Sequence, residues 1–422
     1  MENTIKESMK ILPLKEQYII METWLKERLD NLLPSLMKRE GIDMWIILAR
    51  EYNEDPIFLS LIPPLQRTAS RLSCLMFYLD SKGELECLNL GRPSPYLLKF
   101  YCQKWDSKQE NQWDCIKRLV EEKNPNKIAI NVSQNFALAD GLTKGLFDEL
   151  VKVLGEKNTS KLVSAEKLCI GWLETRTESE IEMYRQIYHV AIRIIEEAFS
   201  NKVIEVGRTT TREVEWWMME RINDLGLKSW FTPTVDLQRR GENDSRLSNQ
   251  VILEGDLLHC DVGLEYLGLS TDTQRLAYVL KADEKDVPQG LQKALTNCNQ
   301  FQDIVASNFT VGKTGNQILL ESLQEAQEKN IKAMLYTHPI GTHGHGIGPT
   351  IGLWDQQHEV PIWGDYPLYH NTCYALELNT AVNVPEWGYQ EVYVYLEETV
   401  AFTEEGIIYL SEGRDQIIEI RN

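Results

Sequence analysis

Apolar residues recur at helical spacing through "METWLKERLDNLLPSLMKRE" (21–40), and the pattern stops at Gly41. A short apolar run, Met44 to Ala49, then predicts a strand. Further strand-like runs follow in "CLMFYLD" (74–80) and "KIAINVS" (127–133), with helical spacing in "ALADGLTKGLFDELVKVLG" (137–155). Helices and strands alternating in this way predict an α/β domain. A long helix opens near Thr177, where Thr177-Glu178-Ser179-Glu180 has the capping-box spacing. The expected division is therefore residues 1–174 and 175–422. The second part reads differently: helices in "TTTREVEWWMMERINDLG" (209–226) and "TGNQILLESLQEAQEKN" (314–330) frame strand-rich blocks at 251–280 and 372–410. The run Trp216, Trp217, Met218 and Met219 is expected to be core.

Length changes little in that picture, since 422 residues accommodate two sizeable cores. Charge changes it more. A net charge of −19 argues against nucleic acid or an acidic membrane as partner. It also leaves carboxylates to spare for binding cations. The eight cysteines stand singly, without CxxC spacing, which suits free thiols in a reducing compartment. The first twenty residues lack the apolar core of a signal peptide, and no apolar run reaches 18 residues, so a cytoplasmic protein is expected.

Three features carry chemistry. In "DLLHCDVGLEYLGLSTDTQRLAYVL" (256–280), a hairpin turning at Tyr266–Leu267 would set Asp261 directly opposite Asp272. Facing carboxylates repel unless protonated or neutralised by cations. A second hairpin, turning through "VPEWG", carries Glu377 in "CYALEL" and Glu397 on the strand face of Tyr393 and Tyr395. An acid on an apolar strand is costly when buried without a partner. Between the hairpins, "THPIGTHGHGIGPTIGLWD" (337–355) packs His338, His343 and His345 among five glycines. Four carboxylates and an imidazole form an oxygen-rich donor set suited to Mn²⁺, Co²⁺ or Fe²⁺, with Zn²⁺ possible.

This order and spacing resembles the pita-bread metallopeptidases: methionine aminopeptidase, aminopeptidase P and prolidase. The matching residues are Asp261 in "DVG", Asp272 in "TDTQR", His345 in "GHGIG", Glu377 in "ALELN" and Glu397 in "EETVAFT". The resemblance covers roughly residues 175–415. It implies an α+β chain, with a pita-bread catalytic domain preceded by a creatinase-type α/β domain. It also implies two divalent metal ions per chain, Mn²⁺ or Co²⁺ foremost, held by those five residues. A hydroxide between the metals would attack the scissile carbonyl, with Glu377 as general base. The extra N-terminal domain points to the aminopeptidase P and prolidase branch, hence to a peptide substrate cut next to proline by a homodimer or homotetramer.

The chain departs from the family on the substrate side. The histidine seven residues after the metal histidine is Gly352, followed by Trp354 and Asp355; the one four residues before it is Gly341. "RGENDSRLSN" lacks the histidine expected ahead of the first aspartate, and the arginine two residues before the last glutamate is Tyr395. Trp354, Asp355 and Tyr395 are thus the candidate substrate contacts, and His343 and His338 the candidate replacements in catalysis. Two other readings stay open: a pseudoenzyme keeping the fold as a binding module, and a creatinase-like hydrolase of amidino compounds.

Overall fold

The computed structural model describes residues 11–421, which divide into two compact units, residues 12–173 and the chain from Glu174 onward. In the first unit, α1 (Leu14–Glu27) runs through a π-turn into α2 (Leu33–Glu40). Gly41 caps α2 at φ 64°, a left-handed conformation cheap only for glycine. Strands β1 (Met44–Arg50), β2 (Leu72–Leu79), β3 (Leu85–Asn89), β4 (Cys102–Gln103), β5 (Ile128–Ile130) and β6 (Leu162–Ser164) form one mixed sheet, ordered β4-β3-β2-β1-β5-β6. Helices α3 (Gln112–Lys123) and α4 (Lys144–Thr159) pack on it through Ile116, Leu119, Leu146 and Leu150. Gly155, at φ 66°, kinks the end of α4.

The second unit opens with α5 (Glu178–Ala198), and the Thr177–Glu180 capping box is formed. The same device, a Thr210–Glu213 box, starts α6 (Thr211–Asp224). The aromatic run on α6 corrects one expectation: Met218 is fully buried, whereas Trp216 is 58% exposed. Helix α6 turns Val214, Glu215, Met218 and Ile222 inward, and Trp216 falls outside that stripe.

Next come β7 (Lys228–Ser229), β8 (Thr234–Gln238), β9 (Leu247–Ser248), β10 (Leu257–Val262), β11 (Leu264–Tyr266), β12 (Leu269–Ser270) and β13 (Thr273–Val279). Helices α7 (Gln289–Asn308) and α8 (Gly315–Glu328) follow, the latter capped by a Thr314–Gln317 box. The chain ends with β14 (Lys332–Leu335), β15 (His338–Ile340), β16 (Thr372–Val384), β17 (Gln390–Thr403), β18 (Gly406–Tyr409) and β19 (Ile418–Ile420). The large sheet runs β14-β16-β17-β13-β10-β8-β9, with β15, β18 and β19 paired onto β16, β17 and β13. Leu376, Leu378, Val392, Val394 and Leu396 join Leu291, Leu295 and Phe301 of α7 in one apolar core. Successive strand residues alternate faces, so Glu377 and Glu397 turn away from that core.

The first hairpin corrects a second expectation. Its turn centres on Leu267 and Gly268, both at positive φ (55° and 72°), and the strands pair Glu265 with Ser270 and Asp261 with Gln274. A two-residue turn with both central residues at positive φ is the type that matches strand twist, and it selects glycine. The centre therefore lies one residue later than a turn at Tyr266–Leu267. Asp272 consequently lies diagonal to Asp261 on the same face, rather than directly opposite.

Candidate metal centre

One row of side chains crosses four strands. Asp261 of β10 pairs with Gln274 of β13, Gln274 with Glu397 of β17, and Glu397 with Glu377 of β16. Asp272 stands two residues along from Gln274, on the same face. Ligand-capable atoms of Asp261, Asp272 and Glu397 lie within 4.8 Å of one another. So do those of Asp272, His338 and His345, and those of His338, Glu377 and Glu397. The structure thus brings together the five residues read as metal ligands and adds His338.

Four carboxylates in so small a volume cannot all stay ionised. Burial raises Asp272 to about 7, partly offset by the proximity of the Glu397 and Asp261 carboxyls and by the Thr273 backbone. Burial raises Glu377 to about 8; His338 opposes this, and the charges of Asp261 and Asp272 add to it. Asp261 and Glu397 are pushed well above the ordinary range, by burial first and the neighbouring carboxylates second. Cations would remove the conflict.

The glycines of the histidine loop are required by close packing. A Cβ on Gly344 would lie 2.1 Å from Cε2 of Trp230, and one on Gly346 2.7 Å from the Pro339 carbonyl oxygen. Trp230 donates its indole N–H to the Thr271 carbonyl (2.8 Å) and meets His345 edge-on, ring centroids 5.1 Å apart. It also leaves no room for a Cβ on Gly263, so one indole is wedged between the first hairpin and the histidine loop. His345 is exposed, yet the packing around its ring, and then His338, push its pKa down to about 4. That favours the neutral form that binds metal.

Behind the row lies a polar chain that sequence reading missed. Gln274 Nε2 donates to Glu377 Oε1 (2.7 Å), and its Oε1 lies 2.9 Å from His259 Nε2. His259 Nδ1 lies 3.4 Å from Asp236, which Arg246 holds at 2.8 Å. Burial pushes Asp236 up, but His259 and Arg246 outweigh it and keep the carboxyl below its usual range. The available signal was alternation: His259 sits two residues before Asp261, hence on the same face.

The remaining candidates lie elsewhere. His343 is half-buried and joins none of the ligand-distance groups among the described residues; burial and the Arg176 charge lower its pKa. Trp354 (73% exposed) and Asp355 are on the surface. Tyr395 is 5.3 Å from His259 between ring centroids, and its hydroxyl lies 3.1 Å from Ser245 Oγ.

Comparison with known proteins agrees with this architecture. The profile of metallopeptidase family M24 matches residues 182–404. An X-Pro aminopeptidase from Thermotoga maritima superposes with a TM-score of 0.64 at 18% identity, covering 90% of this chain and 99% of that one. An Xaa-Pro dipeptidase from Bacillus anthracis gives 0.62 at 16% identity, covering 93% and 99%. The N-terminal domain of FACT complex subunit SPT16 from Cicer arietinum gives 0.54 at 12% identity, covering 94% and 99%. These likenesses establish the shared fold: an N-terminal α/β domain followed by a pita-bread domain. No curated protein matches the chain.

Proposed function

We propose that this chain, which belongs to metallopeptidase family M24, is a dinuclear exopeptidase that hydrolyses peptide bonds next to proline. Membership makes it a metallopeptidase; the metal number, the bond cut and the residue roles are what is proposed. One observation carries the reading: Asp261 Oδ1, Asp272 Oδ1, both carboxylate oxygens of Glu397 and His338 Nε2 are buried without a hydrogen-bond partner. Buried polar atoms are rarely left so, and a cluster of anionic ones fits cations.

Asp261, Asp272, His345, Glu377 and Glu397 would hold two divalent ions, Mn²⁺ or Co²⁺ by donor type, with Zn²⁺ or Fe²⁺ as substitutes. Such ions supply Lewis acidity and bring the pKa of a water close to neutrality. Glu377 takes the proton of the attacking water and passes it to the leaving nitrogen. Gln274 supports that role by engaging Oε1, which fixes the carboxylate and leaves Oε2 for the proton. Trp230 walls the site beside His345. Peptide contact falls to Tyr395, two residues before Glu397 on the same strand face, while the surface positions of Trp354 and Asp355 give them no contact with the acidic row. Residence in the cytoplasm, in keeping with eight free cysteines, and assembly at least as a homodimer belong to the same reading.

Elemental analysis after growth with Mn²⁺ or Co²⁺, coupled to a panel of Xaa-Pro dipeptides and longer Xaa-Pro peptides, tests it. About two ions per chain are expected, with turnover abolished by Asp261→Ala or Asp272→Ala. Near-zero metal would sink the dinuclear reading. Turnover confined to peptides without proline would overturn the specificity.

A further inference from the structure

We infer that a ladder of two tyrosines and two cations beside the acidic row is a subsite for the substrate's chain on the carboxyl side of the scissile bond, so that affinity rises with peptide length. This rests on the exopeptidase reading above and gives it a substrate length. Alternate residues of β17, Glu391, Tyr393, Tyr395 and Glu397, share one face, and Glu397 belongs to the acidic row. The Tyr393 and Tyr395 rings stack, 6.1 Å apart between centroids and 17° from parallel. The Arg246 guanidinium lies 5.3 Å from the Tyr395 ring centre, and Lys332 Nζ lies 5.8 Å from that of Tyr393. Each rung is tied down. The Tyr395 hydroxyl lies 3.1 Å from Ser245 Oγ, and the Tyr393 hydroxyl donates to Glu391 (2.9 Å). Arg246 donates to Asp236 (2.8 Å) and Lys332 to Glu391 (2.8 Å). Lys332 is in register with Ala381 and Ala381 with Tyr393, so a small side chain lets the lysine stem cross to the ring.

Two departures from the family pattern meet here. Tyr395 stands where an arginine is expected, and "RGENDSRLSN", which lacks the expected histidine, supplies Ser245 and Arg246 instead. Reach decides what the ladder holds. Tyr393 is four residues from Glu397, roughly 13 Å along the strand, and extended chain advances about 3.3–3.6 Å per residue. Proline alone, the leaving half of a dipeptide, falls well short; three or four residues cover the distance. The 6.1 Å ring spacing is close to the two-residue repeat of an extended peptide, about 6.8 Å, so alternate side chains fall against successive rings. An exopeptidase acting at the amino end keeps one residue on the other side of the bond, so only the leaving side extends this far. That side ends in a carboxylate. In a chain of net charge −19, the exposed Arg246 and Lys332 are the cations on its path.

Calorimetric titration of the Mn²⁺-loaded full chain with Pro, Pro-Ala, Pro-Ala-Leu and Pro-Ala-Leu-Ala measures the leaving side by itself. Affinity should climb with length, by about two- to tenfold for each ring engaged. Tyr393→Ala should remove the gain from the last residues, and Tyr393→Phe, which keeps the ring, should restore it. Affinity indifferent to length would overturn the subsite, as would a length dependence unaltered in Tyr393→Ala. Turnover of Xaa-Pro and Xaa-Pro-Ala-Leu, assayed in parallel, separates the two readings. Cleavage without length-dependent binding removes the subsite and keeps the exopeptidase. Length-dependent binding without cleavage keeps the subsite and removes the exopeptidase. Should Tyr393→Ala not fold, the wild-type length series decides alone.

Discussion

Stripping the metals should reverse the sign of the protein's pH-dependence of stability. In the metal-free fold, Asp272 is raised from 3.8 to about 7 and Glu377 from 4.5 to about 8, chiefly by burial. Unfolding returns both to ordinary carboxylate values near 4. Between pH 4 and 8 the folded state therefore holds protons that the unfolded state has released. Stability is fully present below about pH 4 and is lost as pH rises through 7 and 8. At about 1.4 kcal/mol per pH unit, each group accounts for roughly 4–5 kcal/mol. The carboxylates share protons, so their contributions overlap, and a total loss of about 5 kcal/mol is expected. For a unit of this size that is a Tm fall of roughly 10–20 °C between pH 5 and 8.5. Metal binds the deprotonated carboxylates, so the loaded protein should instead gain Tm over the same range. Scanning calorimetry on stripped and Mn²⁺-loaded protein measures both slopes, with stripped Asp272→Asn/Glu377→Gln as the control that makes the first shallower, the raised Asp261 and Glu397 remaining. A stripped Tm that stays level or rises with pH would refute the reasoning, as would an unchanged slope in the double variant.

Two further outcomes follow from the histidine loop. Gly344→Ala drives a Cβ into the Trp230 indole and should cost about 1–3 kcal/mol with weakened metal binding, both eased by adding Trp230→Ala. Wild-type metal affinity and Tm in Gly344→Ala would show that the indole does not set the loop. His343→Ala should keep kcat within about threefold with metal content unchanged, since a lost proton-transfer partner typically costs about 10²–10⁴-fold. A loss of that larger size would place His343 in catalysis despite its position outside the cluster.

Much of this protein was legible in one dimension. The helix start at Thr177 is written in local hydrogen-bonding chemistry, and Gly41 stops α2 by a conformation other residues resist. The acids Glu377 and Glu397 stand out because charge on an apolar strand needs a reason, and the family resemblance of five residues in order implies their company. Other features depended on contacts between distant segments. The hairpin register turned on which residues take positive φ at Leu267 and Gly268, a single-residue difference that moves Asp272 from facing Asp261 to lying diagonal to it. Gln274 reads as an ordinary polar strand residue until β13 is placed between β10 and β17, where it becomes the link from Glu377 to His259. The same holds for the histidines: three in one loop look equivalent along the chain. Pairing of β15 with β16 carries His338 into the acidic cluster, whereas His343 lies outside its ligand-distance groups. Trp230, more than a hundred residues away, explains why Gly344 must lack a side chain. Local sequence sets backbone preference and face, but which side chains share a few cubic ångströms is decided only when strands from separate parts of the chain pair.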